Sequence, residues 1–395
     1  MSIVTNCSDS QESWTYLSEG NANIVLTYSG SNPLLRNTVL RLSKTTNTLD
    51  SHLFIKYAIE PLLTPWVLTY TKINLSPLVL QTIGLECFDK RPAHRLGSEI
   101  NQSILWGYSS PDMTHYFAPA STLTIEIKPK WGFKPNSSHI SEHHSIKQRM
   151  CRYCMHSNLK KLETLYCPLD IYSKDPIRVR RAIECLLNTK GDQLRLFLDG
   201  KRLELHQSTQ ASITSQLLGN WFGAKASDEK ESSVMTIISE LVQKVLDEEV
   251  VLNRLKLLQK HCDELDVEGI IKIYEKYSQM DLELDLEGWI GVTSNLLKRL
   301  GDKDYTGVVD ERQRLYEYVL SMTLKDCSLM ISISEQDEPS PVYWCRDNRY
   351  VYYQYAVKLI DLDLKDIKKI PKWFDLDQRI VKNAIQHGLD SICNE

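Results

Sequence analysis

The sequence predicts an α+β fold, in which runs of strands and runs of helices occupy different parts of the chain. Residues 14–44 contain short apolar segments separated by polar turns, a pattern typical of antiparallel strands. Residues 210–300 carry apolar side chains three and four positions apart, which indicates amphipathic helices. Strand-like segments return between residues 325 and 364. This grouping of strands and helices is the pattern of the α+β class.

The composition is that of a soluble protein of two or three domains. The 395 residues are 42% hydrophobic and 25% charged, so sizeable cores can form. No apolar stretch reaches the roughly 18 residues that a membrane helix needs, and residues 1–10 lack the basic start and apolar core of a signal peptide. We therefore expect a protein of the nucleus, the cytoplasm or both, without a membrane partner. A monomer is also expected, although the composition does not determine the oligomeric state.

The charge is distributed unevenly along the chain. A formal net charge of −4 argues against a general nucleic-acid binder, and we expect no nucleic-acid partner. The segment from residue 128 to residue 202, however, contains sixteen lysines and arginines but only seven acidic residues, so it is a basic region. The ten cysteines are scattered, which favours buried thiols over a disulfide framework.

The first elements are predicted in the order strand, strand, strand, helix. Residues 14–28 read as a hairpin with Gly20 at its tip, and residues 39–44 as the next strand. Residues 51–63 are predicted to be helical, and residues 66–70 to form another strand. This order resembles the small lobe of kinase-like folds.

The hairpin turn could bind phosphate. It consists of Gly20, Asn21, Ala22 and Asn23 after Glu19, and a glycine lets backbone N–H groups approach an anion closely. The alternative is an ordinary turn, because one glycine between two strands usually has no other role.

A strand over residues 121–130 would present two lysines on one face. Side chains alternate along a strand, so Lys128 and Lys130 share a face with Glu126. Pro129 cannot donate a ladder hydrogen bond, which indicates an edge strand or a strand end. Two neighbouring ammonium groups suit a phosphate, but the spacing alone favours a solvated edge strand with one Glu–Lys pair.

Further cations and elements follow. A helix is predicted over residues 176–188, with Pro176 in its first turn, and a strand and turn over residues 194–200. Arg195 lies on that strand and presents the planar fork that phosphate oxygens accept, although an ordinary exposed arginine is an equal alternative. Arg152, Lys160 and Lys161 add to the same basic region. The remaining predicted helices cover residues 235–248, 250–265 and 375–390.

Three aspartates are candidates for metal or proton chemistry. In an extended segment, Asp361 and Asp363 would share one face while apolar residues pack behind them. Two such carboxylates can hold Mg²⁺, and an amphipathic strand with a wet acidic face is an equal alternative. Asp326 stands at the entrance of an apolar run, where an aspartate is usually a turn or capping residue.

Residues 151–156 carry part of a zinc-binding pattern, but the sequence does not favour a zinc site there. Cys151 and Cys154 form a CxxC pair near His156, and three histidines precede them. A tetrahedral zinc site needs further ligands at defined positions. No second CxxC pair exists in the sequence.

Several segments together resemble one known family. The run Glu126-Ile-Lys-Pro-Lys-Trp-Gly-Phe133 resembles the signature of inositol-pentakisphosphate 2-kinases, and Arg152-Tyr-Cys-Met-His156 follows it as in that family. The Gly20 turn is similar to the family's nucleotide loop. The other matching segments, in the family's order, are Pro168–Tyr172, Leu194–Gly200, Lys325–Ile331 and Asp361–Lys365.

The resemblance implies a two-lobed, protein-kinase-like fold with an inositol-phosphate-binding addition in the large lobe. Residues 1–118 would form the nucleotide-binding lobe, and residues 119–395 the large lobe, including a helical block at about 210–300. It also implies transfer of a phosphoryl group from ATP, with Mg²⁺, to the 2-hydroxyl of inositol pentakisphosphate, which gives inositol hexakisphosphate.

The resemblance further implies roles for individual residues. Asp326 would orient or deprotonate the 2-hydroxyl, with Lys128 as its catalytic neighbour, and Asp361, helped by Asp326 and Asp363, would bind Mg²⁺. Arg41 would face the ATP phosphates beside the Gly20 to Asn23 loop. A small-lobe arginine, Arg91 or Arg95, would reach the substrate. The expected substrate-binding residues are Lys128, Lys130, Lys160, Arg195, Lys365 and Lys369.

Two rival functions are also compatible with the sequence. One is a kinase for a less phosphorylated inositol, and the other is a non-catalytic inositol phosphate binder. A binder has no need for Asp326, Asp361 and Asp363 near its anion site, because carboxylates repel such a ligand unless a metal ion is present.

Overall fold

A computed structural model gives the fold of the chain. It describes residues 14–20, 23–44, 49–205, 208–223, 230–302, 307–346 and 348–395. Two of the residues predicted to bind nucleotide, Asn21 and Ala22, lie outside this part of the chain. Within it, no helix is long and apolar enough to cross a membrane.

Eleven strands in the described ranges form two antiparallel sheets, as the predicted α+β class requires. The first sheet has the order β1-β2-β3-β5-β4, and the second has the order β10-β11-β9-β6-β7-β8. The strands are β1 Trp14–Glu19, β2 Asn23–Tyr28, β3 Thr38–Ser43, β4 Thr71–Asn74, β5 Trp106–Pro111, β6 Leu123–Ile127, β7 Leu194–Leu198, β8 Lys201–Leu203, β9 Ser328–Gln336, β10 Tyr343–Arg346 and β11 Arg349–Ile360.

The described ranges also contain helices, five of which follow one another between β8 and α12, ahead of β9. They are α1 Ser51–Phe54, α2 Glu60–Leu63, α3 Pro77–Phe88, α4 Arg152–Leu159, α5 Pro168–Ile171, α6 Pro176–Asn188, α7 Ser208–Trp221, α8 Lys230–Glu248, α9 Val251–His261, α10 Asp266–Tyr277, α11 Leu286–Gly301, α12 Glu311–Leu324 and α13 Ile370–Gln386. A π-helical turn, Ile55–Ile59, joins α1 to α2.

Most local predictions are confirmed. The hairpin of β1 and β2 has Gly20 at its turn, whose N–H donates to the Asn23 carbonyl at 2.9 Å. Helix α6 has the predicted bounds, because Asp175 caps its first turn and Pro176 needs no hydrogen-bond acceptor there. The long amphipathic helices α8 and α9 are present as well.

The strand predicted over residues 66–70 is wrong. Trp66, Val67 and Leu68 are buried, but among the described residues their backbone makes only one bridge, between Val67 and Leu359 of β11. The next strand, β4, begins at Thr71 and pairs with β5. Apolar side chains at residues 66–68 therefore reflect packing on the second sheet and not a strand of the first.

The predicted helical stretch 51–63 lies between strands of the first sheet in the sequence but packs against the second sheet. Phe54 and its buried neighbours join the core of the second sheet, and the Phe54 ring meets the Trp289 ring of α11 edge to face. The Thr293 hydroxyl donates to the Ala58 carbonyl at 2.9 Å. The first sheet has its own smaller core, which it shares with α3.

Candidate active site

The turn after β6 presents Lys128 and Lys130. Strand β6 lies between β7 and β9, so Pro129 marks a strand end and not an edge. Lys130 has a φ of 61°, which turns the backbone sharply. The carbonyl of Pro129 accepts from the Tyr166 hydroxyl at 3.3 Å, and the carbonyl of Lys130 accepts from the Tyr172 hydroxyl at 3.2 Å. The two lysines therefore project from a rigid turn.

Other contacts hold this turn against the helical block. The Gln259 amide of α9 donates to the Lys130 carbonyl at 3.0 Å, and its oxygen accepts from Gly132 N–H at 2.8 Å. A Cβ atom at Gly132 would lie 2.8 Å from the Tyr172 ring, so only glycine fits there without movement. The sequence run that contains both lysines is thus shaped by its packing.

The predicted Glu126–Lys pair is absent among the described contacts of Glu126. The buried carboxylate accepts instead from Arg195 at 3.3 Å and from the Ser328 hydroxyl at 2.9 Å. Arg195 stands opposite Glu126 in the β6–β7 register, and it also donates to Asp192 at 3.4 Å. This pairing gives Arg195 the defined direction that its position on the strand predicts.

Lysines and aspartates alternate in space beyond this turn. Lys128 Nζ lies 3.4 Å from Asp361 Oδ2, and Lys130 Nζ lies 3.6 Å from Asp326 Oδ1. Lys365 Nζ donates to the other Asp326 oxygen at 2.8 Å. We call Lys128, Lys130, Asp326, Asp361 and Lys365 the charged cluster. Its members come from three distant segments of the chain, and both aspartate side chains are about half exposed.

The environment of the charged cluster lowers the pKa values of two of its members, Asp326 and Lys130. Burial raises the pKa of Asp326, but the positive charge and hydrogen bond of Lys365, with Lys130 and Lys128, outweigh it, so the pKa lies below its ordinary value. Burial lowers the pKa of Lys130, and the neighbouring charge of Lys128 adds to that effect. Asp326 is therefore an ionised carboxylate at neutral pH.

Asp361 and Asp363 do not share one face of a strand, contrary to the prediction. Strand β11 ends at Ile360, and Asp361 has a φ of 60°, which redirects the chain. The Asp361 carboxylate accepts from Lys128 and from the Ser328 hydroxyl, each at 3.4 Å. Asp363 instead faces the first sheet. The left-handed residue separates the two carboxylates because it breaks the alternation of an extended chain.

Asp363 joins the two sheets through polar contacts. Arg41 of β3 donates to both Asp363 oxygens, at 2.8 and 3.0 Å, and Asn23 at the start of β2 donates to one of them at 3.3 Å. The Tyr70 hydroxyl accepts from Arg41 at 3.2 Å. Burial alone would lower the pKa of Arg41, but the charge of Asp363 raises it above its ordinary value. The Gly20 turn therefore ends beside this ion pair.

The two arginines that were candidates for a substrate contact, Arg91 and Arg95, differ in what the structure shows of them. Arg91 makes a bidentate pair with Glu19, with both N–O distances 2.9 Å, and donates to the carbonyls of Arg95 and Ser98. The Glu19 carboxylate also accepts from Lys44 at 2.8 Å. These contacts tie the Arg91 side chain to β1 and to the loop that contains Arg95 and Ser98, so it does not extend toward the charged cluster. A substrate contact from Arg95 stays a prediction.

The other predicted cations lie around the charged cluster or apart from it. Lys160 is exposed at the end of α4, and Lys369 is exposed at the start of α13. The substrate role of both stays a prediction, because no contact connects either side chain with the charged cluster in the described residues.

Two groupings of side chains were only partly visible in the sequence. Burial first, then the charges of Lys160, Arg152 and Lys130, lower the pKa of His156 to about 4, so His156 is a neutral member of the basic region. Its position in the matching segment 152–156 was the available signal. The second grouping consists of four cysteines, Cys151, Cys154, Cys167 and Cys393, whose sulfur atoms lie within 4.8 Å of one another.

Known proteins resemble this chain over nearly its whole length. The profile of the inositol-pentakisphosphate 2-kinase family matches residues 16–379. The inositol-pentakisphosphate 2-kinase of Arabidopsis thaliana is 27% identical over 423 aligned positions, which cover 93% of this chain and 92% of that protein. The protein of that name from Cryptococcus neoformans var. neoformans serotype D is 28% identical over 414 positions, with 95% and 94% covered. The inositol-pentakisphosphate 2-kinase IPK1 of Oryza sativa subsp. indica is 27% identical over 455 positions, with 98% and 96% covered.

Proposed function

The chain belongs to the inositol-pentakisphosphate 2-kinase family, and from that membership we propose that it phosphorylates the 2-hydroxyl of inositol 1,3,4,5,6-pentakisphosphate. ATP is the phosphoryl donor, and inositol hexakisphosphate is the product. The observation that carries the proposal is the charged cluster, in which lysines that suit phosphates alternate with two carboxylates. Phosphoryl transfer requires such a set, because it depends on positioning, charge neutralisation and one carboxylate at the nucleophile.

The substrate accounts for the number of cations. Each phosphate carries roughly 1.5 to 2 negative charges, so five phosphates carry about 8 to 10. Lys128, Lys130 and Lys365 are half-buried and face Asp361 or Asp326, so a bound phosphate needs only to replace or share those partners. Lys160, Arg195 and Lys369 are the further phosphate contacts in this proposal.

Asp326 acts at the reacting hydroxyl. Its carboxylate lies at the turn between α12 and β9, where Lys365 and Lys130 fix both oxygens. The depressed pKa keeps it ionised at neutral pH, so it can accept a hydrogen bond from the 2-hydroxyl and orient the oxygen for in-line attack. Lys128 and Lys130 then neutralise charge on the phosphate groups beside that oxygen.

Magnesium fits one of the predicted positions best. The Asp361 carboxylate is half exposed and uses Oδ2 for Lys128 and Ser328, and carboxylate oxygens are the ligands that hard cations prefer. Asp363 uses both oxygens for Arg41, so it would become a ligand only when Arg41 turns to the nucleotide phosphates. When bound, Mg²⁺ neutralises the charge of the β- and γ-phosphates. We assign Asp326 to the hydroxyl and not to the metal.

The two sheets are proposed to be the two lobes of a kinase-like fold. Residues 1–118 contain the first sheet, and residues 119–395 contain the second. ATP would lie between them, with Gly20 and Asn23 on one side, Arg41 at the phosphates and Asp361 opposite. The contacts of Asp363 with Arg41 and Asn23 support this location, because they join the sheets at the end of the Gly20 turn.

One assay separates this function from its rivals. ADP release is followed in the presence and absence of Mg²⁺ after adding inositol pentakisphosphate or less phosphorylated inositols. We expect Mg²⁺-dependent ADP release with inositol 1,3,4,5,6-pentakisphosphate and formation of the hexakisphosphate by chromatography. Preference for a less phosphorylated substrate would favour a kinase of less phosphorylated inositols, and tight binding without ADP release would favour a non-catalytic binder. We also propose that the enzyme acts as a monomer in the nucleus or the cytoplasm.

A further inference from the structure

The four-cysteine cluster, Cys151, Cys154, Cys167 and Cys393, gathers thiols from three separate parts of the chain. All four sulfur atoms lie within 4.8 Å of one another. Cys151 and Cys154 belong to the first turn of α4, Cys167 precedes α5, and Cys393 lies in the tail after α13. Residues that are separated by more than 200 positions do not converge in this way through local sequence preferences.

The local backbone aims these sulfur atoms at one point. Cys151 is the N-cap of α4, and its sulfur accepts from Cys154 N–H at 3.4 Å. The backbone N–H of Cys393 donates to the Arg149 carbonyl at 3.0 Å, which fixes the tail beside Cys151.

The spacing of the sulfur atoms suits a tetrahedral metal ion. Zinc–sulfur bonds of about 2.3 Å in a tetrahedron place neighbouring sulfur atoms about 3.8 Å apart. The Cys151 and Cys167 sulfur atoms are 3.8 Å apart. A disulfide would need about 2 Å, and all four cysteines are free thiols. The four ligands close the coordination sphere, as in structural and not catalytic sites.

The surroundings of the cysteine cluster are mainly apolar. Apolar side chains that include Ile146, Met155, Leu169 and Ile380 pack around the cluster. Cys151 and Cys393 are buried, and Cys154 and Cys167 are half-buried. An apolar shell of this kind strengthens thiolate–metal bonding and slows the loss of the ion.

A second group of potential metal ligands differs from the cysteine cluster because a cation already contacts it. Asp266, Glu268 and Asp377 also lie close together, but the Lys147 ammonium contacts all three carboxylates. Arg152 also pairs with Asp377, and His144 with Glu268, so these carboxylates belong to a buried ion-pair network and are not free to bind a metal ion. No lysine, arginine or histidine contacts a sulfur atom of the cysteine cluster in the described hydrogen bonds and ion pairs.

We propose that Cys151, Cys154, Cys167 and Cys393 bind one structural zinc ion. Four thiolates are soft ligands, which select zinc, iron or monovalent copper over magnesium and calcium. The ion would tie the C-terminal tail to the segment that runs from α4 to α5. That segment carries Lys160 and the two tyrosines, Tyr166 and Tyr172, that hold the Lys128–Lys130 turn. The zinc ion therefore supports the substrate site from behind and takes no part in phosphoryl transfer.

The metal content of the purified full-length protein tests the proposal. The protein is prepared under reducing conditions without chelators or added metal, and zinc, iron and copper are measured by mass spectrometry. We expect about one zinc per chain and little of the others. Cys393→Ser and Cys154→Ser should reduce the zinc content to below roughly a tenth per chain, because each removes one of four ligands. Cys345→Ser, at an exposed cysteine outside the cluster, is the matched control and should keep the wild-type zinc content.

A second measurement keeps the test independent of folding in the variants. Titration of wild-type thiols with a mercurial reagent should release zinc in proportion to the cysteines modified, and a metal-sensitive dye reports that release. Less than roughly a tenth of a zinc per chain in the wild type, iron or copper in its place, or a disulfide within the cluster would overturn the proposal. Equal zinc content in wild type and Cys393→Ser would also overturn it. None of these readouts depends on kinase activity.

Discussion

Replacing Asp326 by asparagine removes one negative charge and the ability to accept a proton, with almost no change of shape. Positioned acid–base groups contribute about 10²- to 10⁴-fold to rates. This range corresponds to roughly 2.7–5.5 kcal/mol of transition-state free energy. We therefore expect kcat of Asp326→Asn to fall by at least about 100-fold. ADP release at saturating ATP, Mg²⁺ and inositol pentakisphosphate measures this fall.

The affinity of the Asp326→Asn variant for inositol pentakisphosphate should not fall with kcat; it should stay the same or rise. Asp326 lies 2.8 Å from Lys365 Nζ and 3.6 Å from Lys130 Nζ, and it partly neutralises two cations that would hold phosphates. At a half-exposed position, one charge at about 4 Å contributes roughly 1 kcal/mol. The KM for inositol pentakisphosphate should therefore stay the same or fall by up to about fivefold. Calorimetric titration of the variant with this substrate measures the affinity directly.

The pH dependence gives a separate check. The lowered pKa of Asp326 means that its carboxylate stays ionised as the pH falls to below about 4, the ordinary aspartate value. Protonation of Asp326 should therefore cause no loss of wild-type activity between pH 5 and 8. Glu275→Gln, on an exposed face of α10, removes the same charge elsewhere and should leave kcat and KM unchanged. A kcat of Asp326→Asn within about threefold of wild type would refute the assignment, as would a large rise in KM with kcat unchanged.

Three further variants test other contacts. Lys128→Ala should raise the KM for inositol pentakisphosphate by roughly tenfold to 100-fold, because a charge-assisted hydrogen bond contributes about 1.5–3 kcal/mol; steady-state kinetics measure it. Asp361→Asn should raise the Mg²⁺ concentration needed for half-maximal activity by at least about tenfold, since a metal ligand loses its charge; a Mg²⁺ titration measures this shift. Glu19→Gln should destabilise the protein by about 3–5 kcal/mol at pH 7, because Lys44 and Arg91 lose a buried anion; chemical or thermal unfolding measures it.

Each of these variants has a control or a contradicting result. Lys272→Ala, at an exposed lysine of α10, should leave KM unchanged, and equal kinetics for Lys128→Ala and wild type would contradict the phosphate contact. An unchanged Mg²⁺ requirement in Asp361→Asn would exclude that residue as the main ligand.

The Glu19 effect also has a defined pH window. Burial would raise the pKa of Glu19, but hydrogen bonds from Arg91 and Lys44 lower it overall. A lowered pKa means that the stabilising contribution is present above the ordinary value of about 4.3 and is lost as the pH falls through the folded-state pKa. The stability difference between wild type and Glu19→Gln should therefore shrink below about pH 4. A difference that stays constant down to pH 2 would contradict this explanation.

Local signals in the sequence were sufficient for most elements. The Gly20 hairpin, the α6 helix with its Asp175 cap and Pro176, and the apolar periodicity of α8 and α9 each depend on neighbouring residues. Such patterns reflect backbone preferences and amphipathic faces, which act over a few residues. The prediction failed at residues 66–70, where burial against another element produces the same apolar pattern as a strand.

The sequence by itself determined which chemical groups are available. Lys128 and Lys130 within the matching run 126–133, and Asp326 and Asp361 within theirs, identify the family and the class of reaction. Only the tertiary structure decided which groups meet. Lys128 contacts Asp361 across 233 positions of the chain, and Asp361 reaches it because a left-handed backbone at the end of β11 turns it away from Asp363. The CxxC spacing of Cys151 and Cys154 was likewise visible in the sequence. Their convergence with Cys167 and Cys393 was not, and only the tertiary structure shows it. Contacts between such distant segments are set by how the sheets and helices pack, and that packing leaves no periodic pattern near either partner.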